Sequence, residues 1–218
     1  MQELFLRRMG NCYAYGSGTI KVLDLFSGLG GFSEAFLRAG DEVARVENNP
    51  LLSEVPNTSI ECVRQVRDRL VEYKQKGLPI RDIDVVLASP PCYEFSLAYS
   101  APRVVAQRNN EEWNPSLELV EITLEIIELI APRYWVIENV VGSARYFKHL
   151  GLIPRQVNRP YLLYGNFPTF QASSFPKKKE HDSYHGNPLR SNIRAMIPLE
   201  LSMDIRKAIV CQKSILEY

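Results

Sequence analysis

Apolar positions along the chain follow two alternating rhythms. Short β-branched or alternating runs occur at IKVLDLF (20–26), EVARVE (42–47), DVVLAS (84–89) and RYWVIENV (133–140), and all four read as strands, with YLLYG (161–165) as a fifth. Between them lie stretches with helical period. FSEAFLRAG ends at Gly40, and LELVEITLEIIELI spans 117–130. A third stretch, capped by Asn57 and Thr58, places Ile60, Val63, Val66, Leu70 and Val71 on one side and stops at Gly77. Strands alternating with helices predict an α/β fold: a doubly wound, mostly parallel sheet with helices on both faces. There is no internal repeat. Residues 1–18 read as an irregular lead-in, and 166–192 as one long polar, proline-bearing segment holding Lys177, Lys178 and Lys179. A last helix is expected over IPLELSMDIRKAIVCQKSI (197–215).

Composition narrows the class. With 218 residues, 45% hydrophobic and 23% charged, the chain suits one well-buried soluble domain. The net charge of +1 gives no global basic field, so any nucleic-acid contact must come from local patches. Cys12, Cys62, Cys92 and Cys211 form no CxxC pair, which argues against a zinc ribbon or a disulfide framework and suits a reducing compartment. The opening MQELFLRRMGNCYAYGSG lacks the apolar core of a signal peptide, and no run approaches the roughly 18 apolar residues of a membrane span. The expectation is a cytoplasmic protein without a membrane partner.

In DLFSGLGGFSEAF, Gly28, Gly30 and Gly31 stand between a strand and a helix, where glycine lets backbone amides approach a ligand at a helix N-terminus. The strict dinucleotide fingerprint would place glycine at position 33, which is Ser33, so the loop suits a nucleoside better than a pyrophosphate. Glu47 ends the second strand, 19 residues after Gly28, where a carboxylate can accept both ribose hydroxyls. The plainer reading is a tight turn followed by a surface acid.

In LASPPCYEFS, Cys92 follows Pro90 and Pro91 at the carboxyl end of the third strand, where open α/β sheets bind ligands. Two prolines fix the backbone that presents the thiol. A lone cysteine is ordinarily a small buried hydrophobe, and Cys12, Cys62 and Cys211 take that reading. Cys92 does not, because the next strand ends in Glu138-Asn139-Val140 and brings a carboxylate to the same rim. A rigid thiol beside a glutamate suggests covalent catalysis with an acid partner. His181 and His185 lack further ligands at metal spacing and read as surface residues.

Together these segments resemble the cytosine-5 DNA methyltransferase family: DLFSGLGG its S-adenosylmethionine loop, VENN its ribose acid, SPPC its nucleophile and ENV its glutamate motif, in the family's order. The similarity is clear over 20–140 and thinner to about 165. It implies a Rossmann-like S-adenosylmethionine-dependent methyltransferase fold, with residues 1–218 as a single catalytic domain. Cys92 would add to carbon 6 of a cytosine flipped out of DNA, and Glu138 would hold its ring nitrogen and amino group. Phe26, Ser27, Gly28, Gly30, Gly31, Glu47, Asn48 and Pro91 would surround S-adenosyl-L-methionine, and Asp68 would meet the adenine amino group or else sit on a helix surface.

The family pattern is broken in three places. Its Gln-x-Arg-x-Arg motif corresponds to QVNRP (156–160), where Asn158 and Pro160 replace the arginines, leaving Arg159, or Arg155, to supply the cation to the cytosine carbonyl. Tyr93 replaces the glutamine that commonly follows the cysteine. The sequence after Gly165 is too short for a large target-recognition region, so 166–196 is the candidate minimal one. Cytosine methylation in RNA stays open, as does a non-catalytic S-adenosylmethionine-binding subunit that relies on a partner for its target. A nicotinamide dehydrogenase is disfavoured by Ser33 and by the SPPC and ENV pair.

Overall fold

The computed structural model describes residues 18–174 and 186–216. The chain opens with β1 (Lys21–Leu25), α1 (Glu34–Arg38) and β2 (Glu42–Glu47). It continues through β3 (Thr58–Ile60), α2 (Val63–Gln75), β4 (Val85–Ala88), α3 (Pro102–Arg108), α4 (Glu118–Ile130) and β5 (Tyr134–Val140). It closes with α5 (Ala144–Phe147), β6 (Gln156–Asn158), β7 (Tyr161–Asn166), α6 (Arg190–Ala195) and α7 (Leu199–Leu216). The strands form one seven-stranded sheet in the order β3-β2-β1-β4-β5-β7-β6.

The first five strands run parallel, and β7 returns antiparallel to β5, with Val140 opposite Tyr161 and Trp135 opposite Asn166. All four residues of β4 are buried, as befits a central strand covered on both faces. On one face Val66 of α2 and Ile126 of α4 pack with Ile137, Phe147 and Leu162. On the other, Phe36 of α1 and Leu201, Ile205 and Ile209 of α7 pack with Leu87, Val136 and Leu163. The winding reverses between β1 and β4, so their carboxyl ends splay apart and open a crevice. Helix α7 braces that crevice from behind: Ser202 Oγ donates to the carbonyl of Phe32 (2.6 Å) and accepts from the amide of Ala35 (3.1 Å).

Two sequence expectations change. The helix expected from Asn57 begins only at Val63, with the Cys62 amide donating to Gln65 Oε1 (2.8 Å). Asn57 adopts a left-handed φ of 60°, unsuited to an N-cap, and Thr58–Ile60 pairs instead with Arg45, Val46 and Glu47 as a sheet edge. The fifth expected strand is antiparallel and forms a hairpin with the short β6. Cys62 and Cys211 are half-buried, with Cys62 packed against the core; Cys12 lies outside the described residues. Lys177 to Lys179, His181 and His185 also lie outside them. Among the described residues no helix is long and apolar enough to cross a membrane, and no cluster of three or more His, Cys, Asp or Glu side chains could hold a metal ion.

Candidate active site

A cleft of about 1040 Å³ occupies the crevice at the carboxyl rim of the sheet. Its floor is the glycine loop. Phe26 and Gly28 take positive φ values of 59° and 53°, and the Ser27 amide donates to the carbonyl of Val46 (3.0 Å), tying the loop to the end of β2. Glu47 Oε2 accepts from the Gly28 amide (2.8 Å), and Oε1 accepts from the amides of Asn48 and Asn49 (2.9 Å each). The carboxylate is therefore pre-oriented by three backbone donors from two loops. The hydroxyls of Ser27 and Ser89 are buried in the cleft wall without a hydrogen-bond partner, which leaves two polar groups waiting for a polar ligand.

Phe26, Ser27, Gly28, Gly31, Glu47, Asn48, Pro91 and Cys92 all line this cleft. Gly30 does not; it packs beneath the loop against Arg45. Of the two readings of Asp68, the helix-surface one holds and the adenine contact does not. Its side chain is 66% exposed on α2, paired with Arg67, whereas Glu61, directly after β3, lines the cleft together with Glu47. Because α2 begins at Val63 and not near Asn57, the acid at the cleft precedes the helix, and Asp68 lies within it. The sequence pattern also gives no place to the outer wall, which comes from Pro188 to Ile197. Asn49 Nδ2 donates to Asn192 Oδ1 (3.4 Å), and any Cβ on Gly31 would overlap the carbonyl of Ile197.

Cys92 caps a short helical turn at Tyr93–Phe95, one strand end from Glu138. Asn139, fully buried, donates from Nδ2 to the carbonyl of Pro90 (3.0 Å), so the glutamate-bearing strand holds the turn that presents the thiol. Burial, and then the negative charge of Glu138, push the Cys92 thiol above its ordinary range. The same two causes push Tyr161 up to about 12. Tyr161 faces Val140 across the β5–β7 ladder, with Asn158 on its other side, so these side chains share the sheet face of Glu138. Arg159 is exposed at the same rim, in the turn between β6 and β7. Gln156 ties down the following segment, bonding the carbonyl and the amide of Phe170 at 3.0 and 3.1 Å.

The raised thiol has a sign that can be tested. A thiol whose pKa is elevated is protonated at neutral pH, so alkylation of Cys92 by iodoacetamide is expected to rise steeply above pH 8. Glu138→Gln removes the repelling charge, lowers the thiol pKa and should speed alkylation at pH 8 severalfold. Peptide mass spectrometry resolves Cys92 from the other cysteines. An unchanged or slower rate in Glu138→Gln would place the two groups out of electrostatic contact.

Residues 20–146 match the family model described as C-5 cytosine-specific DNA methylase. The chain belongs to this family. It is 31% identical over 136 residues to the type II methyltransferase M1.HphI of Haemophilus parahaemolyticus, an alignment covering 60% of this chain and 34% of that protein. It is 26% identical over 126 residues to M.DdeI of Desulfomicrobium norvegicum, covering 56% and 28%. Against M.HgiGI of Herpetosiphon aurantiacus the identity is 28% over 123 residues, covering 56% of this chain and 90% of that protein. The chain thus spans about a third of M1.HphI and less of M.DdeI. The stretch matching the methylase family takes in the glycine loop, Glu47, Cys92 and Glu138, and ends before β6, Arg159 and the 166–196 segment.

Proposed function

We propose that this chain transfers a methyl group from S-adenosylmethionine to carbon 5 of cytosine in DNA, through a covalent adduct at Cys92. The observation that carries the reading is the pairing of Cys92 with Glu138 at adjacent strand ends, beside a cleft whose Glu47 is already oriented by three amides. The cleft suits the cofactor. Glu47 offers carboxylate oxygens to a ribose, and the unpartnered Ser27 and Ser89 hydroxyls offer polar contacts along its wall. Bound there, S-adenosylmethionine supplies an electrophilic sulfonium methyl.

Carbon 5 of cytosine is a poor nucleophile, and the protein's task is to raise its electron density. Cys92, as the thiolate, forms a bond from sulfur to carbon 6, and the ring electrons move toward carbon 5. Glu138, in its protonated carboxyl form, donates to the ring nitrogen and accepts from the exocyclic amino group, so its proton meets the negative charge that this addition creates. That hydrogen bond, shielded from water, is stronger there than it would be in solvent. Carbon 5 then takes the methyl group, and the cofactor is left as its thioether. The carbon-5 proton passes to water, the electrons of that C–H bond re-form the ring double bond, and the carbon–sulfur bond breaks to return the Cys92 thiolate. Arg159, exposed at the rim, is proposed as the cation for the cytosine carbonyl, with Arg155 as the alternative. The base must leave the duplex stack to reach a thiol recessed at a strand end.

The direct test is incubation of the protein with labelled cofactor and either mixed-sequence DNA or RNA, followed by base-resolution mapping of 5-methylcytosine. Label in DNA at cytosine carbon 5 is the expected result. Label only in RNA would move the substrate class, and binding of cofactor with no transfer to either polymer would favour a subunit that depends on a partner.

The 166–196 segment is proposed as the target-recognition element, with its lysines on phosphates rather than base edges. Replacing Lys177, Lys178 and Lys179 by alanine should then weaken DNA binding almost uniformly across sequences. It should also flatten the salt dependence by up to about 0.9 log units for each phosphate no longer neutralised. A triple variant with the parent's affinity and salt slope would make them a solvated charge run.

A further inference from the structure

Arg45 lies in the middle of β2, 1% exposed, and lines no part of the cleft. Burying a guanidinium is costly unless its donors are matched, and here four of the five are. Nη2 donates to the carbonyl of Gly30 (2.9 Å) and to Glu34 Oε2 (3.1 Å), Nε to Ser33 Oγ (2.9 Å), and Nη1 to the carbonyl of Pro56 (3.1 Å). Ser33 Oγ in turn donates to Asp24 Oδ2 (2.6 Å) on β1. Burial lifts the fully enclosed Asp24 carboxyl to about 6, and it lies on the far side of the serine from the guanidinium. The chain Asp24–Ser33–Arg45–Gly30 thus runs beneath the glycine loop from β1 to β2. It accounts for the serine at position 33, whose hydroxyl links an acid to a base instead of capping α1. It also accounts for Gly30. That residue has a φ of +79°, which disfavours any side chain, and a Cβ there would also overlap the guanidinium, so the turn and Arg45 both call for glycine.

We infer that Arg45 is a positioning residue for cofactor binding: it holds the carbonyl of Gly30 from below and so sets the shape of the Phe26–Gly31 turn above it. The inference rests on the reading of this cleft as the S-adenosylmethionine site. Arg45 touches neither the cleft nor the reacting atoms, so its effect falls on affinity and leaves the chemical step alone. A lysine in its place keeps the charge but cannot fork to Gly30, Ser33 and Pro56 at once. Ser33→Ala removes the link to Asp24 while leaving the arginine itself in place.

The experiment compares wild type, Arg45→Lys and Ser33→Ala in three measurements. These are calorimetric affinity for S-adenosylmethionine and S-adenosylhomocysteine, amide hydrogen exchange of residues 28–32 without cofactor, and the split between KM for the cofactor and kcat. The expected results for Arg45→Lys are about tenfold weaker binding of both molecules and faster exchange at residues 28–32 in the cofactor-free protein. KM should rise in step, with kcat at saturating cofactor near the parent's. Ser33→Ala should show the same pattern at smaller size, and it carries the test if Arg45→Lys fails to fold. Parent-like affinity and exchange in the variants, or a fall in kcat with KM unchanged, would overturn the inference. Failure of the wild-type protein to bind either molecule would overturn the reading of the cleft itself, and so differs visibly from a wild type that binds normally with variants that do too.

Discussion

Cys92→Ser is expected to lower methyl transfer by at least about a thousandfold while leaving S-adenosylmethionine affinity near the parent's. The substitution exchanges sulfur for oxygen in a half-buried side chain, so the Tyr93–Phe95 turn and the Asn139 bond to Pro90 stay in place. What changes is the reagent. A thiol, even one raised by burial and by Glu138, can be drawn to its thiolate when a base docks and the glutamate is engaged in hydrogen bonds. A serine hydroxyl stays protonated at any pH the protein survives, so no bond to carbon 6 forms. Calorimetry on the serine variant checks that the cofactor cleft is intact, and a labelled-methyl assay reads the loss. Substantial turnover by Cys92→Ser would remove Cys92 from the role of nucleophile.

Glu47→Ala is expected to weaken S-adenosylmethionine binding by roughly 1–3 kcal/mol, the range for leaving buried polar groups unmatched. Two effects act in the same direction. On the proposed reading the ribose hydroxyls lose their acceptor, and the amides of Gly28, Asn48 and Asn49 lose the carboxylate that draws the two loops together. Glu47→Gln separates them. The amide side chain keeps one oxygen for the loops but presents a donor where a second acceptor stood, so it should recover part of the affinity and not all. Calorimetric titration of both variants measures the difference. Affinity equal to wild type in Glu47→Ala would move the ribose contact to another residue.

The central architecture is legible in the chain before any coordinates. The runs at 20–26, 84–89 and 133–140 form parallel strands because each is a largely apolar stretch whose burial on both faces offsets its conformational entropy, and EVARVE (42–47), half of it charged, joins them with Val43 and Val46 buried. Helix α4 follows from its own period, with Val120, Ile126 and Ile127 turned inward. The glycine loop, Glu47, Cys92 and Glu138 are legible for a related reason. Each sits at the carboxyl end of a recognisable strand, and a parallel sheet carries all such ends to one rim.

Other features depend on partners distant in sequence, and local signals could not supply them. Thr58–Ile60 is a strand only because β2 offers an open edge to pair with. The run at 161–166 turns antiparallel because β6 and β5 flank it, a choice no period within the run encodes. Gly31 is small to admit Ile197, some 166 positions later, and Asn139 acts on Pro90 across 49. Arg45, one of three charged residues in the six of β2, carries no local sign of the shell that Gly30, Ser33, Glu34 and Pro56 close around it. Sequence pattern reports which residues must leave water. Which polar groups they meet once buried is settled only when the sheet assembles, because unmatched hydrogen-bonding groups are expensive and their partners come from wherever the topology brings them.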